Sequence, residues 1–205
     1  MSPPDERAAE QAIEQFLRAL GHEASGDMAD TPRLVAQSWS RDLLDGYAVD
    51  PGEELRQGAV DLGSEHPGLV VLRNLTTTTM CPHHLLPAHG RATIGYLPRS
   101  KVAGFGAIAK ALRARTRRLT FQEQAGEEMA ALLVEHLDAR GAFCQLHLMH
   151  GCLVARGTRE ADAVVESIAL AGSFTEPGPD RDLALTALAG AQIAPATSPC
   201  SKQAL

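Results

Sequence analysis

Apolar side chains at Ala8, Ile13, Phe16, Leu17 and Leu20 fall close to helical spacing and predict an amphipathic helix over residues 5–20. A second helix is predicted from DTPRLVAQSW. Thr31 can cap it, and Pro32 takes the first helical position, where a missing N–H costs nothing. Residues 46–67 are punctuated by Gly and Pro and read as a loop. From Leu69 the period changes: LVVLRNLTTTT and RATIGYLP are rich in β-branched residues and read as strands. Helical spacing returns from Ala107 and again in TFQEQAGEEMAALLVEHL, which opens with Thr120 and Glu123 in a capping-box pattern. Two strand-like runs follow, AFCQLHLMHGCLVA and ADAVVESIALA, separated by RGTRE, and then a short helix from Asp180 to Ala189. The order of two helices, two strands, two helices, two strands and one helix predicts an α+β fold around an antiparallel sheet. It divides the chain into an N-terminal helical region over residues 1–45, a main domain over 46–190 and a disordered tail over 191–205.

The chain has 205 residues, enough for one domain with a sizeable core. Aromatic residues make up only 4%, so the core must be built mainly from Leu, Ala and Val. A net charge of −6 argues against a general nucleic-acid or membrane-surface binder. The cluster RARTRR, Arg113 to Arg118, reads as a solvated face at a helix end, with a local basic pocket as the other reading. No apolar run approaches the roughly 18 residues needed to span a bilayer. The start, MSPPDERAAEQ, lacks the layout of a signal peptide. A cytoplasmic protein is expected, and there four cysteines point to metal ligands or free thiols rather than disulfides.

The stretch MCPHHLLPAHG, Met80 to Gly90, carries the candidate chemistry. Cys81 and His84 have the C-x-x-H spacing of a metal half-site, but two ligands do not hold a zinc ion. Cys152 is the natural third ligand, with His150 two residues before it. Strand alternation puts both on one side if the strand continues through Gly151; a turn there breaks that inference. Three protein ligands with an open fourth position make a catalytic zinc site, and a fourth protein ligand makes a structural one. His83, His89 and His150 fit core or surface positions equally well. Cys144 is expected to pack as a small hydrophobe, and Cys200 lies in the tail.

CPHHLLPAHGRATIGYLP resembles the zinc-binding segment of GTP cyclohydrolase I. The resemblance continues through KVAGFGAIAKALRARTRRLTFQEQ and HGCLVARGTRE, and DTPRLVA is similar to the family's early T-P-x-R-V-A helix. It implies a tunnelling fold: helices on one face of an antiparallel sheet, sheets from several copies joined into a barrel, and a homo-oligomer, a decamer in that family. It also implies Zn²⁺ held by Cys81, His84 and Cys152, and hydrolytic opening of the guanine imidazole ring of GTP, giving formate and 7,8-dihydroneopterin triphosphate. By the same resemblance His83 and His150 handle protons and Glu123 reads the guanine N1–H and 2-amino group. Gln122 is a neighbouring polar contact, and Arg156 and Lys110 bind phosphate. Glu123 has a second reading as the partner of Thr120 in a capping box.

The departures fall mostly on the phosphate grip. Pro82 stands where the family has Glu. The segment G-L-S-K-x-x-R appears as Gly104-Phe105-Gly106-Ala107-Ile108-Ala109-Lys110, so the serine is Gly106, the lysine Ala107 and the arginine Lys110. Leu34 takes the arginine position of the early helix, and Arg33, one residue away, points about 100° round it. Lys101, Arg117, Arg118 and Arg159 are the cations that could compensate. The alternatives are a ring-opening hydrolase of a differently phosphorylated or modified purine, and a non-catalytic relative with a structural zinc.

Overall fold

The computed structural model describes residues 3–63 and 67–190; the tail expected over 191–205 lies outside them. Helix α1, Glu6–Ala19, starts where the Asp5 carboxylate accepts the Ala8 N–H at 3.0 Å. Helix α2, Thr31–Ser38, has Pro32 in its first turn as expected, but Thr31 lies inside the helix and does not cap it. Asp30 stands at the cap position, with its carboxylate committed to Arg33 at 2.9 Å.

Of the loop expected over residues 46–67, the described stretch 46–63 is not the loop that its glycines suggest. Asp50 accepts from the N–H groups of Gly52 and Glu53 at 2.8 and 3.3 Å and opens α3, Pro51–Gln57. Asp followed by Pro is a helix-start signal that the Gly content masked. A short strand β1, Ala59–Asp61, follows and pairs with β4, Lys101–Ala103.

The main sheet is antiparallel throughout. It has the order β2-β3-β5-β6, with β2 Val70–Met80, β3 Pro87–Pro98, β5 Ala139–His150 and β6 Val165–Gly172. Alternation puts Ala92, Ile94, Ala142, Cys144, Leu146 and Leu148 on one face. Against them pack α4, Phe105–Thr116, through Ile108 and Leu112, and α5, Gln122–Leu137, through Met129 and Leu133. Burial pushes the Cys144 thiol up to about 12, so it is an inert apolar group, as expected. Helices are not confined to that face. Phe143, Leu97 and Phe174 form a second cluster on the other side with Ala184 and Leu188 of α7, Pro179–Ala189.

The arginine cluster is mostly paired rather than free, although Arg113 stays exposed. Arg113 pairs with Asp45 at 2.6 Å and the largely buried Arg115 with Glu128. Arg118 donates to three carbonyls, Ala114 at 2.7 Å, Gly46 at 2.9 Å and Val49 at 3.1 Å, while stacking on the Tyr47 ring. It ties residues 46–49 to the end of α4. Arg118→Ala is expected to destabilise the fold by about 2 kcal/mol in urea unfolding. Arg118→Lys should rescue little of this, because one ammonium cannot reach three dispersed carbonyls.

Candidate metal centre

The site lies at one end of the main sheet, where three chain segments meet. Between β2 and β3 the loop 81–86 is closed by Cys81 N–H on Leu86 O and Leu85 N–H on Cys81 O, both 2.9 Å. Leu85 takes a φ of 54° to make that turn, and His83 and His84 stand exposed on it.

The second segment corrects the expected strand through Cys152. Strand β5 ends at His150, opposite Ala88, and the chain turns at once into α6, Gly151–Val154. The physical reason is visible at Gly151, where a Cβ would sit 2.8 Å from the carbonyl oxygen of Pro87. Only glycine lets the chain fold this close to β3 and bring Cys152 round to Cys81. Gly151→Ala is therefore expected to weaken affinity for any metal held by this group roughly tenfold or more, on the scale of misoriented ligands, with the circular dichroism unchanged.

The third segment is the start of α5. A parallel bridge ties it to β2: Met80 N–H donates to Arg118 O and Thr120 N–H to Met80 O, both at 3.2 Å. Phe121 occupies the N-cap without a side-chain cap bond, and the Thr120 hydroxyl donates to Phe121 O. The capping box is thus not formed, and the exposed Glu123 carboxylate is free of it.

The ligand atoms of Cys81, His84 and Cys152 lie within 4.8 Å of one another, the one such His/Cys/Asp/Glu group among the described residues. Cys81 Sγ and His84 Nδ1 are 3.8 Å apart, against about 3.6 Å for the S–N edge of a tetrahedron built with ordinary zinc bond lengths. Burial, and then the neighbouring Cys81 thiol, push the Cys152 thiol up. Two thiolates this close ionise together only around a cation, and soft sulfur with imidazole suits zinc. On donor chemistry and spacing the three residues fit that ion.

Other sequence-predicted residues divide. Arg156 Nη1 lies 2.7 Å from His84 Nε2, so this arginine is at the site. The His83 ring is 5.2 Å from that of Phe121 and 6.1 Å from that of His84. His150 is half-buried, with Nε2 2.9 Å from Gln122 Oε1. Burial holds its basicity below the usual range, and the Glu123 carboxylate opposes that shift. Lys110 is not brought to the site: it pairs with Glu54 at 3.4 Å and lines a separate pocket with Asp45, Val49 and Arg113. His89 faces away, because it sits beside Met149 and Thr78 on the opposite side of the sheet from His150. Sequence reasoning missed Phe121 as part of the rim and Ser167 as a neighbour of Gln122. The first lies inside the FQEQ motif and was legible there; the second depends on the β5–β6 register, which no local pattern encodes.

Fold and site together define an α+β protein with a soft cysteine and histidine group that could hold a metal ion, with His83 and His150 next to it in the chain. Comparison with known proteins makes this particular. The family model described as GTP cyclohydrolase I matches residues 9–188. The chain is 38% identical to GTP cyclohydrolase 1 of Chromobacterium violaceum over 187 residues, 91% of this chain and 89% of that one. It is 36% identical to GTP cyclohydrolase 1 of Ralstonia nicotianae, over 91% and 88%, and 32% identical to that of Bacillus subtilis, over 86% and 92%. The chain belongs to the GTP cyclohydrolase I family.

Proposed function

We propose that the protein is a zinc-dependent cyclohydrolase that opens the imidazole ring of GTP, releasing formate and forming 7,8-dihydroneopterin triphosphate. The observation that carries this reading is the convergence of Cys81, His84 and Cys152 on one point beside His150 and Glu123. Zinc, when bound, supplies a Lewis acid that brings ionisation of a water near neutral pH. His150 and His83 then hold and move protons at the purine nitrogens as the ring opens, in the range where imidazole is effective. The Glu123 carboxylate accepts from guanine N1–H and the 2-amino group, a two-donor pattern that adenine cannot offer. Arg156 takes phosphate oxygens, for which its planar fork is suited. The tunnelling fold, a barrel of several copies with active sites between them, and a cytoplasmic setting belong to the same proposal. Among the described residues, no helix is long and apolar enough to cross a membrane.

A second reading keeps the ring chemistry and changes the phosphate. Arg117 and Arg118 are held by Asp45 and by backbone carbonyls, so they do not replace the cations absent at Gly106, Ala107 and Leu34. Lys110 is held by Glu54, and only a second copy of the chain could bring another Lys110 to this site. Within one chain Arg156 is the cation placed beside His84, and it would meet a substrate that carries close to four negative charges as a triphosphate. This favours a purine with fewer phosphates. The experiment is formate release by zinc-loaded protein given GTP, GDP, GMP and guanosine in parallel. Release from GTP with a pterin product supports the first reading. Release confined to a less phosphorylated purine supports the second, and no release with any of them overturns both.

A further inference from the structure

Gln122 opens α5 and is 1% exposed. Its Nε2 lies 3.0 Å from the carbonyl oxygen of Leu146 on β5, from that of Val165 on β6 and from the hydroxyl of Ser167. Carbonyl oxygens only accept, so the end of the side chain that faces two of them must be the NH₂. The other end is then the amide oxygen, and it stands 2.9 Å from Nε2 of His150. An amide oxygen also only accepts, so the imidazole nitrogen facing it carries the hydrogen. A neutral imidazole has one such hydrogen, which leaves Nδ1 of His150 bare.

We infer that Gln122 is a positioning residue: with its amide NH₂ fixed by the sheet, its amide oxygen holds the His150 ring through an Nε2–H donor and so sets the ring's orientation and tautomer. It does not itself read the purine. Both amide hydrogens are taken by the sheet, the amide oxygen is taken by His150, and burial leaves no surface for a ligand. Two sheet strands and one helix therefore set a proton position at the site, through one side chain. The consequence for turnover rests on the cyclohydrolase reading above; the tautomer itself does not.

Two measurements test this. The first is solid-state ¹⁵N NMR of zinc-loaded, histidine-labelled protein, with His150 identified by the signal lost in His150→Ala. The expected spectrum shows neutral His150 with its hydrogen on Nε2, and mixed tautomers in Gln122→Met. A wild-type hydrogen on Nδ1 overturns the inference whatever the substrate. The second is kinetic, on the purine that wild type turns over. Gln122→Met is expected to lower kcat about 100-fold, the scale of a misplaced catalytic group, with KM nearly unchanged. Gln122→Glu keeps an acceptor for His150 and should recover part of that loss. In a His150→Ala background Gln122→Met should cost nothing more. A rise in KM at constant kcat, or a full additional loss without His150, marks a substrate contact and overturns the proposal. Wild type that releases no formate from any purine counts against the cyclohydrolase reading, and the NMR result alone then decides the role of Gln122.

Discussion

Cys152→Ala is expected to give folded protein that binds almost no zinc and releases almost no formate from the purine the wild type turns over. Cys152 is one of only three donors, and its sulfur is one of two that make the site soft. Removing it leaves Cys81 and His84, a half-site whose two atoms cannot define a tetrahedron. The loss should exceed the roughly 100-fold cost of deleting an outer-shell partner, because a ligand itself is gone. Nothing in the core depends on this side chain, which sits half-buried on the short α6. Thermal unfolding measured without metal should therefore barely change. Cys144→Ala is the matched control: its thiol is fully buried under α5 and outside the donor set, so zinc content and turnover should survive. Zinc by mass spectrometry and formate release separate the two variants. Retention of zinc and activity in Cys152→Ala would remove Cys152 from the site and with it the proposed chemistry.

The three residues that the structure brings together could be named from the chain because their residue types are restrictive. Few side chains bind zinc, and C-x-x-H puts two of them within one turn of loop. The strand pattern was equally legible: β2, β3 and β6 follow β-branched runs, and the small residues of α5 and β5 packed as the low aromatic content demanded. Three things were not legible, each for a physical reason. Gly-rich composition hid α3, although Asp50-Pro51 marks its start, because turn residues and helix caps draw on the same side chains. Strand alternation ran on past His150, since nothing in sequence reports that Pro87 O blocks any Cβ at position 151. The Thr120–Glu123 spacing matched a capping box, but the bridge between Met80 and Leu119 holds Thr120 in an extended link, and the helix begins one residue later. Tertiary pairing overrode a local signal, and in doing so it left Glu123 uncommitted.

His150→Ala should separate metal binding from catalysis. The prediction is full zinc content, nearly unchanged stability, and kcat lower by about 10²- to 10⁴-fold, the range that a positioned general acid–base group contributes. The sheet register is the argument. His150 pairs with Ala88 on the face that carries α5, with its ring tied to Gln122, beside the Glu123 carboxylate. Its neighbour Cys152 is the proposed ligand, and the turn at Gly151 sends the two side chains in different directions over a separation of two residues. His89→Ala tests whether any histidine near the site matters. His89 is one residue from Ala88, so its side chain projects from the opposite face of the sheet, and its removal should leave both zinc and kcat intact. If His150→Ala instead lost zinc in proportion to activity, His150 would be acting through the metal. If both histidine variants kept full turnover, proton transfer would have to rest on His83 alone, on an exposed loop where water competes for every proton. The half-buried position of His150 excludes much of that competition, and this is why the larger effect is expected there.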